Sequence, residues 1–255
     1  MKLFDLGGRV ALVTGGNGGI GLGMATGLAQ AGAAIAVVGR NTQKGEAAAA
    51  QLRTLGVDSA FIAADVADHA ACAAMVRDTV ARFGRLDILI NNAGINLGKR
   101  PEDYPVAEWH QIIDTNLSSA FYACQAAYPE MQTAGGGKII NIGSMTSLFG
   151  VSYAAVYAAS KGGIVQLSKS LATAWAKDNI QVNAVLPGWI DTELTRRSRK
   201  RVETLHDSVL ARTPAGRWGA PQDLAGVAVF LASAASDFVT GTAIPIDGGY
   251  SAQGL

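Results

Sequence analysis

The sequence predicts a single α/β domain built on a doubly wound, seven-stranded parallel sheet with helices on both faces, and three observations carry that prediction. Short runs rich in Val and Ile alternate with longer stretches of helical period along the 255 residues. These runs are apolar without alternation, as expected of strands covered on both faces by helices. A glycine-rich turn, Gly15 to Gly21, joins the first of them to a helical segment.

Taken in order, strands are expected at residues 10–13, 34–38, 59–63, 88–90, 138–142, 181–185 and 243–246. Right-handed crossovers through the intervening helices complete the topology. The first run, Val-Ala-Leu-Val, enters the glycine turn, and a helix then continues to Ala31. The alanine-rich stretches 46–52 and 70–83 have strong helix propensity, and their spacing excludes the short repeat of a solenoid. Cys72 and Cys124, both within alanine-rich helical patterns, read as small buried hydrophobes. Residues 188–217 form the least regular segment, which begins Pro187-Gly188 at a strand end and carries Thr192, Thr195 and a dense basic cluster. A substrate lid is expected there, within one domain spanning 1–255, because no linker divides the chain.

Composition excludes several functions. Apolar residues make up 49% of the chain and charged residues 16%, enough for a large core. Its 21 basic and 20 acidic residues leave no nucleic-acid footprint. The amino terminus lacks a signal peptide's apolar stretch and no run approaches the ~20 residues of a membrane span, so no membrane association and a cytoplasmic location are expected. His69, His110 and His206 have no metal-ligand spacing, and no metal is expected.

The turn reads T-G-x-x-x-G-x-G from Thr14 to Gly21. On a strand-turn-helix scaffold, such glycines let the backbone approach a pyrophosphate while the helix aims its first amides at the anion. Tyr157 and Lys161 lie four residues apart in a stretch expected to be helical, hence on one face, with Ser144 upstream at the end of an apolar run. An ammonium beside a phenol favours its ionised form, and lowering a tyrosine pKa by about three units takes roughly 4 kcal/mol. A positive cofactor ring would help the lysine supply it. Tyr157 would then serve as acid and base.

Together with Asp65-Val66, Asn91-Asn92-Ala93-Gly94, Asn116, Pro187-Gly188 and Asp247-Gly248-Gly249, these motifs resemble those of the short-chain dehydrogenases/reductases, over nearly the whole chain. Residues 135–142, 175–183 and 214–219 resemble bacterial sugar-acid dehydrogenases of the gluconate 5-dehydrogenase and 2-deoxygluconate 3-dehydrogenase group, and similar stretches occur in 3-oxoacyl reductases. The resemblance implies a Rossmann fold, a nicotinamide cofactor and a homotetramer whose contacts include residues 106–128, 154–175 and the C-terminal strand. It also implies a catalytic quartet of Asn116, Ser144, Tyr157 and Lys161. Tyr157 would give a proton to the substrate oxygen and Ser144 would steady that oxygen's charge. Lys161 would hold the nicotinamide ribose, and Asn116, within residues 114–117 on an expected helix, a water relaying protons to Lys161; a simple buried polar residue is the other reading of Asn116.

For the cofactor, the expected shell comprises Gly15, Asn17, Gly19, Ile20 and Gly21 of the turn, then Arg40, Asn41, Asp65, Val66, Asn92, Ala93, Gly94, Pro187, Ile190 and Thr192, with Tyr157 and Lys161. About 20 residues past the turn, where an acid would grip both ribose hydroxyls of NAD, stand Gly39-Arg40-Asn41. An arginine there suits a 2′-phosphate, so NADP(H) is expected, with NAD(H) the alternative if Arg40 only faces solvent. By resemblance Asp65 would accept from the adenine amino group, whereas Asp68 is expected to cap the following helix.

The expected substrate is a small alcohol or ketone, first a sugar or sugar acid, with a 3-oxoacyl thioester or a xenobiotic ketone as alternatives. Its pocket would draw on Ile95, Asn96, Met145, Leu148, Tyr153, Trp189 and the segment after Thr192. Of the basic run 196–201, a helix could turn one or two side chains inward toward a carboxylate, the others facing solvent. A dinucleotide-binding sensor without chemistry would lack the tyrosine or the lysine; both are present.

Overall fold

The computed structural model describes residues 2–253. All seven expected strands are present in one sheet: β1 (Val10–Thr14), β2 (Ala34–Gly39), β3 (Ser59–Ala63), β4 (Ile88–Asn91), β5 (Gly137–Ile142), β6 (Ile180–Pro187) and β7 (Ala243–Ile246). Their order is β3-β2-β1-β4-β5-β6-β7, every neighbouring pair parallel. Strand order therefore reverses between β1 and β4, where a crevice opens beyond the carboxyl ends. The register places Thr14 opposite Asn91 and Asn91 opposite Asn141, so the ends of three strands are level at that crevice.

Alternate residues of the buried strands feed two cores. Ala11, Val13, Ile35, Val37, Ile88 and Ile90 pack under α1 (Gly19–Gln30), α2 (Thr42–Arg53) and α9 (Ala225–Ala232). Leu12, Ala36, Val38, Leu89 and Val182 pack under α3 (His69–Phe83), α5 (Ser119–Thr133) and α6 (Ala155–Trp175). Both cysteines lie in the second layer, free and buried, and burial pushes their thiols up, Cys72 to about 11 and Cys124 to about 12. Asp68 caps α3 by accepting from the amides of Ala70 and Ala71, and Gly84, at φ 83°, ends it.

Two segments differ from the sequence-based expectation. The segment after β6 is largely helical, with α7 (Glu193–Arg201) and α8 (Leu205–Arg212). α7 buries no side chain, so no apolar stripe announces it. A reciprocal cap between Thr192 and Thr195 starts it, and Glu193 pairs with Arg197 one turn on at 2.6 Å. Second, Asp114–Ser118 is a π turn between α4 (Val106–Ile113) and α5, where an ordinary helix was expected. Such turns insert one residue into the helical ladder, frequently at functional sites. Among the described residues no helix is long and apolar enough to cross a membrane.

Candidate active site

The glycine turn is built for close backbone approach. Gly15 and Gly19 have φ of 63° and 52°, the left-handed region that side chains disfavour. A Cβ on Gly21 would stand 2.4 Å from the Gly15 carbonyl oxygen and 2.5 Å from Asn92 Nδ2. Asn92 braces this packing, its side-chain amide donating to the carbonyls of Thr14 at 3.0 Å and Gly15 at 3.2 Å. Thr14 Oγ1 in turn accepts from the amides of Asn92 and Ala93 at 3.0 and 3.1 Å. A Cβ on Gly18 would meet nothing within 4 Å, and one on Gly19 would first meet Thr192 Cγ2 at 3.4 Å. The first amides of α1 thus face a cradle clear of side chains, which fits a pyrophosphate. Ile20 packs against the core, leaving its backbone for the cradle.

Beside this cradle, at the end of β2, Asn17 Nδ2 lies so close to Gly39 that a Cβ there would be 2.9 Å away. Arg40 is exposed and stands 3.6 Å from Asp65, whose carboxylate also accepts from the Ala67 amide. Val66 is buried. Asn41 acts as the cap of α2, accepting from the Lys44 amide at 2.8 Å. Lys44 itself reaches Glu193 at 3.0 Å, linking α2 to α7. Pro187 ends β6, buried Ile190 bridges to Gly219 and gives its carbonyl to Thr195 Oγ1, and Thr192 caps α7.

The quartet gathers at the ends of β4, β5 and α6. Ser144 follows β5 and accepts from the Thr146 amide at 3.1 Å, and its hydroxyl is near enough to Tyr157, in the first turn of α6, to favour the ionised phenol. Ser147 holds that arrangement, accepting from the Ser144 amide and donating to the Lys161 carbonyl at 2.7 Å. Lys161 is buried and donates to the Ile142 carbonyl at 2.7 Å, with Nζ 5.8 Å from the centre of the Tyr157 ring. Gly94 closes in from β4, its Cβ position 3.5 Å from Lys161 Nζ. Asn116, in the π turn, accepts from the Ile95 amide at 2.8 Å and donates to the Ile95 carbonyl and to Ser160 Oγ. Its side chain thereby clamps the segment after β4 to α6.

Burial dominates the electrostatics of the pair. Burial pushes the Tyr157 phenol above its ordinary value, with the Ser144 hydrogen bond opposing. Burial also pulls Lys161 down to about 8. Desolvation is thus the largest influence on both groups, and the lysine's amine donates to the Ile142 carbonyl.

The basic run of α7 is mostly paired with acidic residues of the same segment. Arg196 and Arg199 both reach Asp191, Arg197 reaches Glu193, and Arg199 lies over the Trp218 ring at 4.3 Å. Trp218 also meets Trp189 edge-on and stacks on His206. Of the expected pocket residues, Met145 is buried, whereas Leu148 and Tyr153 are exposed.

The family described as enoyl-(acyl carrier protein) reductase matches residues 15–251. The 2-dehydro-3-deoxy-D-gluconate 5-dehydrogenase of Dickeya dadantii (strain 3937) is 42% identical over 254 residues, 99% of either chain. The chain is a short-chain dehydrogenase/reductase. It is 40% identical over 247 residues to the gluconate 5-dehydrogenase of Gluconobacter oxydans (strain 621H), covering 97% of this chain and 96% of that one. The crystal structure of a gluconate 5-dehydrogenase from Burkholderia cenocepacia J2315, in complex with NADP and tartrate, is 42% identical with a TM-score of 0.94 over 99% of each chain.

As a short-chain dehydrogenase/reductase it is an oxidoreductase of a family that uses nicotinamide cofactors. Several positioning residues escape a reading of sequence. Asn91 donates to Asn141 at 2.8 Å and Asn141 to Ser168 at 2.9 Å, a buried polar chain from β4 through β5 to α6. Thr14, Ser147 and Ser160 act across 78, 14 and 44 residues respectively. Polar residues recurring inside otherwise apolar strands were the available signal, since each must find a buried partner.

Proposed function

We propose that this short-chain dehydrogenase/reductase oxidises, reversibly, a secondary hydroxyl of a sugar acid with NADP as hydride acceptor. The observation that carries the reaction is the convergence of Ser144, Tyr157 and Lys161 beside the glycine cradle. When bound, the nicotinamide supplies or takes the hydride. Tyr157 moves the proton of the substrate oxygen, Ser144 donates a hydrogen bond to that oxygen, and the buried ammonium of Lys161 favours phenolate as charge develops. Asn116 contributes by fixing Ile95, and so the wall of the cleft opposite α6.

Arg40 supports NADP, because its guanidinium is exposed at the end of β2 with only a loose contact to Asp65. The names of the similar proteins support a sugar acid, and the NADP and tartrate in the Burkholderia structure fit a site taking a phosphorylated cofactor and a hydroxy acid. Residues 188–217 belong to this reading as the lid, since Thr192 faces the cradle at Gly19 and Lys44 joins α2 to α7. A homotetramer acting in the cytoplasm completes the reading: Val106, Trp109 and Phe121 are exposed on α4 and α5, apolar surface suited to a second copy. Sizing in solution tests the assembly.

A panel of sugar acids, polyols and oxoacyl esters assayed with both nicotinamides tests the reaction. Turnover of a sugar acid with NADP preferred is expected. Turnover confined to oxoacyl esters, or a strong NAD preference, would contradict the substrate or the cofactor assignment respectively.

A further inference from the structure

Residues 94–99 run along the amino-terminal end of α6. At one end the Cβ position of Gly94 lies 3.5 Å from Lys161 Nζ. At the other, the Lys99 amide donates to the Tyr153 carbonyl at 2.9 Å, and the Cβ position of Gly98 lies 3.7 Å from the Tyr153 ring. Tyr157 stands between these two contacts on the helix. Arg201, the last residue of α7, crosses to the far end and donates from Nη1 to the Gly98 carbonyl at 3.1 Å. Four extended residues span at most about 14 Å, which bounds the length of this wall from Gly94, beside Lys161, to Gly98, beside Arg201.

Among the cations of α7, Arg201 differs in its partners. Arg196, Arg197 and Arg199 are each paired with Asp191 or Glu193, which they share among themselves and with Lys44. Lys200, one residue earlier, projects about 100° away around the helix. Among the described residues Arg201 meets no carboxylate, and a single main-chain oxygen leaves the rest of its donor fork and its charge uncompensated. On the same segment, Asn96 Oδ1 is buried without a hydrogen-bond partner. An unmatched acceptor and an unmatched cation on one wall suit a ligand that brings hydroxyl donors and a carboxylate together.

We propose that Arg201 binds the substrate carboxylate at the mouth of the cleft and thereby selects acids over neutral sugars. This rests on the sugar-acid reading above. Arg201 is a specificity residue whose guanidinium stands at the end of the substrate remote from the proton transfer.

The test compares wild type, Arg201→Gln, Arg201→Lys and the control Arg196→Gln on gluconate and 2-dehydro-3-deoxygluconate, each beside its neutral counterpart with an alcohol in place of the carboxylate. For Arg201→Gln, kcat/KM on the better acid should fall about ten- to a hundredfold, carried by KM, as expected for losing a charge-assisted hydrogen bond. Neutral counterparts should change less than about twofold, the scale of a peripheral contact. Arg201→Lys should recover part of the loss, and Arg196→Gln should match wild type. Equal losses on acid and neutral substrates would show that Arg201 only braces Gly98, and an unchanged acid preference would overturn the proposal while leaving the sugar-acid reading intact. A wild-type enzyme that turns over neither acid, or prefers the neutral compounds, would overturn both.

Discussion

Lys161 sits one helical turn beyond Tyr157, yet its ammonium donates to the Ile142 carbonyl at 2.7 Å and lies 5.8 Å from the centre of the phenol ring. Spacing alone places the two side chains on one face of α6. Burial then sets their proton affinities, raising the phenol and lowering the amine. Both shifts favour neutral forms, yet at about 8 the amine stays mostly protonated at neutral pH, so an ammonium stands by as charge develops on the phenol.

This makes Lys161 a stability liability with a defined pH window. Its pKa falls from 10.5 to about 8 on folding, so between those values the unfolded chain binds the proton and the folded chain does not. Stability therefore rises with pH across that window, and the full penalty of burying the charged amine is present below pH 8. Lys161→Met should stabilise the protein at pH 7 by about 2 kcal/mol, since each tenfold in proton affinity is worth about 1.4 kcal/mol and the lost bond to Ile142 offsets about 1. Its advantage should shrink toward pH 10. Thermal unfolding of both proteins from pH 6 to 10 checks this, and a constant difference would contradict it.

The cradle gives a second expectation. A methyl on Gly21 would be forced to within 2.4 Å of the Gly15 carbonyl and 2.5 Å of Asn92 Nδ2, so Gly21→Ala must part the turn from β4. Overpacking of this kind costs about 1–3 kcal/mol. Cofactor affinity, read by quenching of tryptophan fluorescence, should fall by about five- to a hundredfold, since that free energy is spent where the pyrophosphate binds. Gly18→Ala, where a Cβ meets nothing, should leave the fold's stability unchanged.

How much of this was legible in the sequence follows from the range of the forces involved. Each of the seven strands was readable because a strand buried on both faces is a continuous apolar run; the structure lengthens β1, β2, β4 and β5 by one residue and β6 by three. Tyr157 and Lys161 were readable because a helix converts a spacing of four into proximity. The π turn at Asn116 was not, since a one-residue insertion in the ladder leaves no period of its own. α7 was hidden because it is held by charge pairs and a cap, with no buried side chain. The Thr14–Asn92 brace, spanning 78 residues, depends on which strands become neighbours, and the direction of the Tyr157 shift depends on burial. Neither is a property of local sequence.

Turnover by Tyr157→Phe bears most directly on the central claim, because this change removes one hydroxyl and leaves the ring, the helix and the cradle in place. With the best acid from the panel and saturating NADP, the variant should lose at least about a hundredfold in kcat, the scale of general acid–base catalysis, while NADP binding by fluorescence stays within about threefold of wild type, less than a single hydrogen bond's worth. Wild-type turnover in the variant would contradict the assignment of the proton transfer to Tyr157.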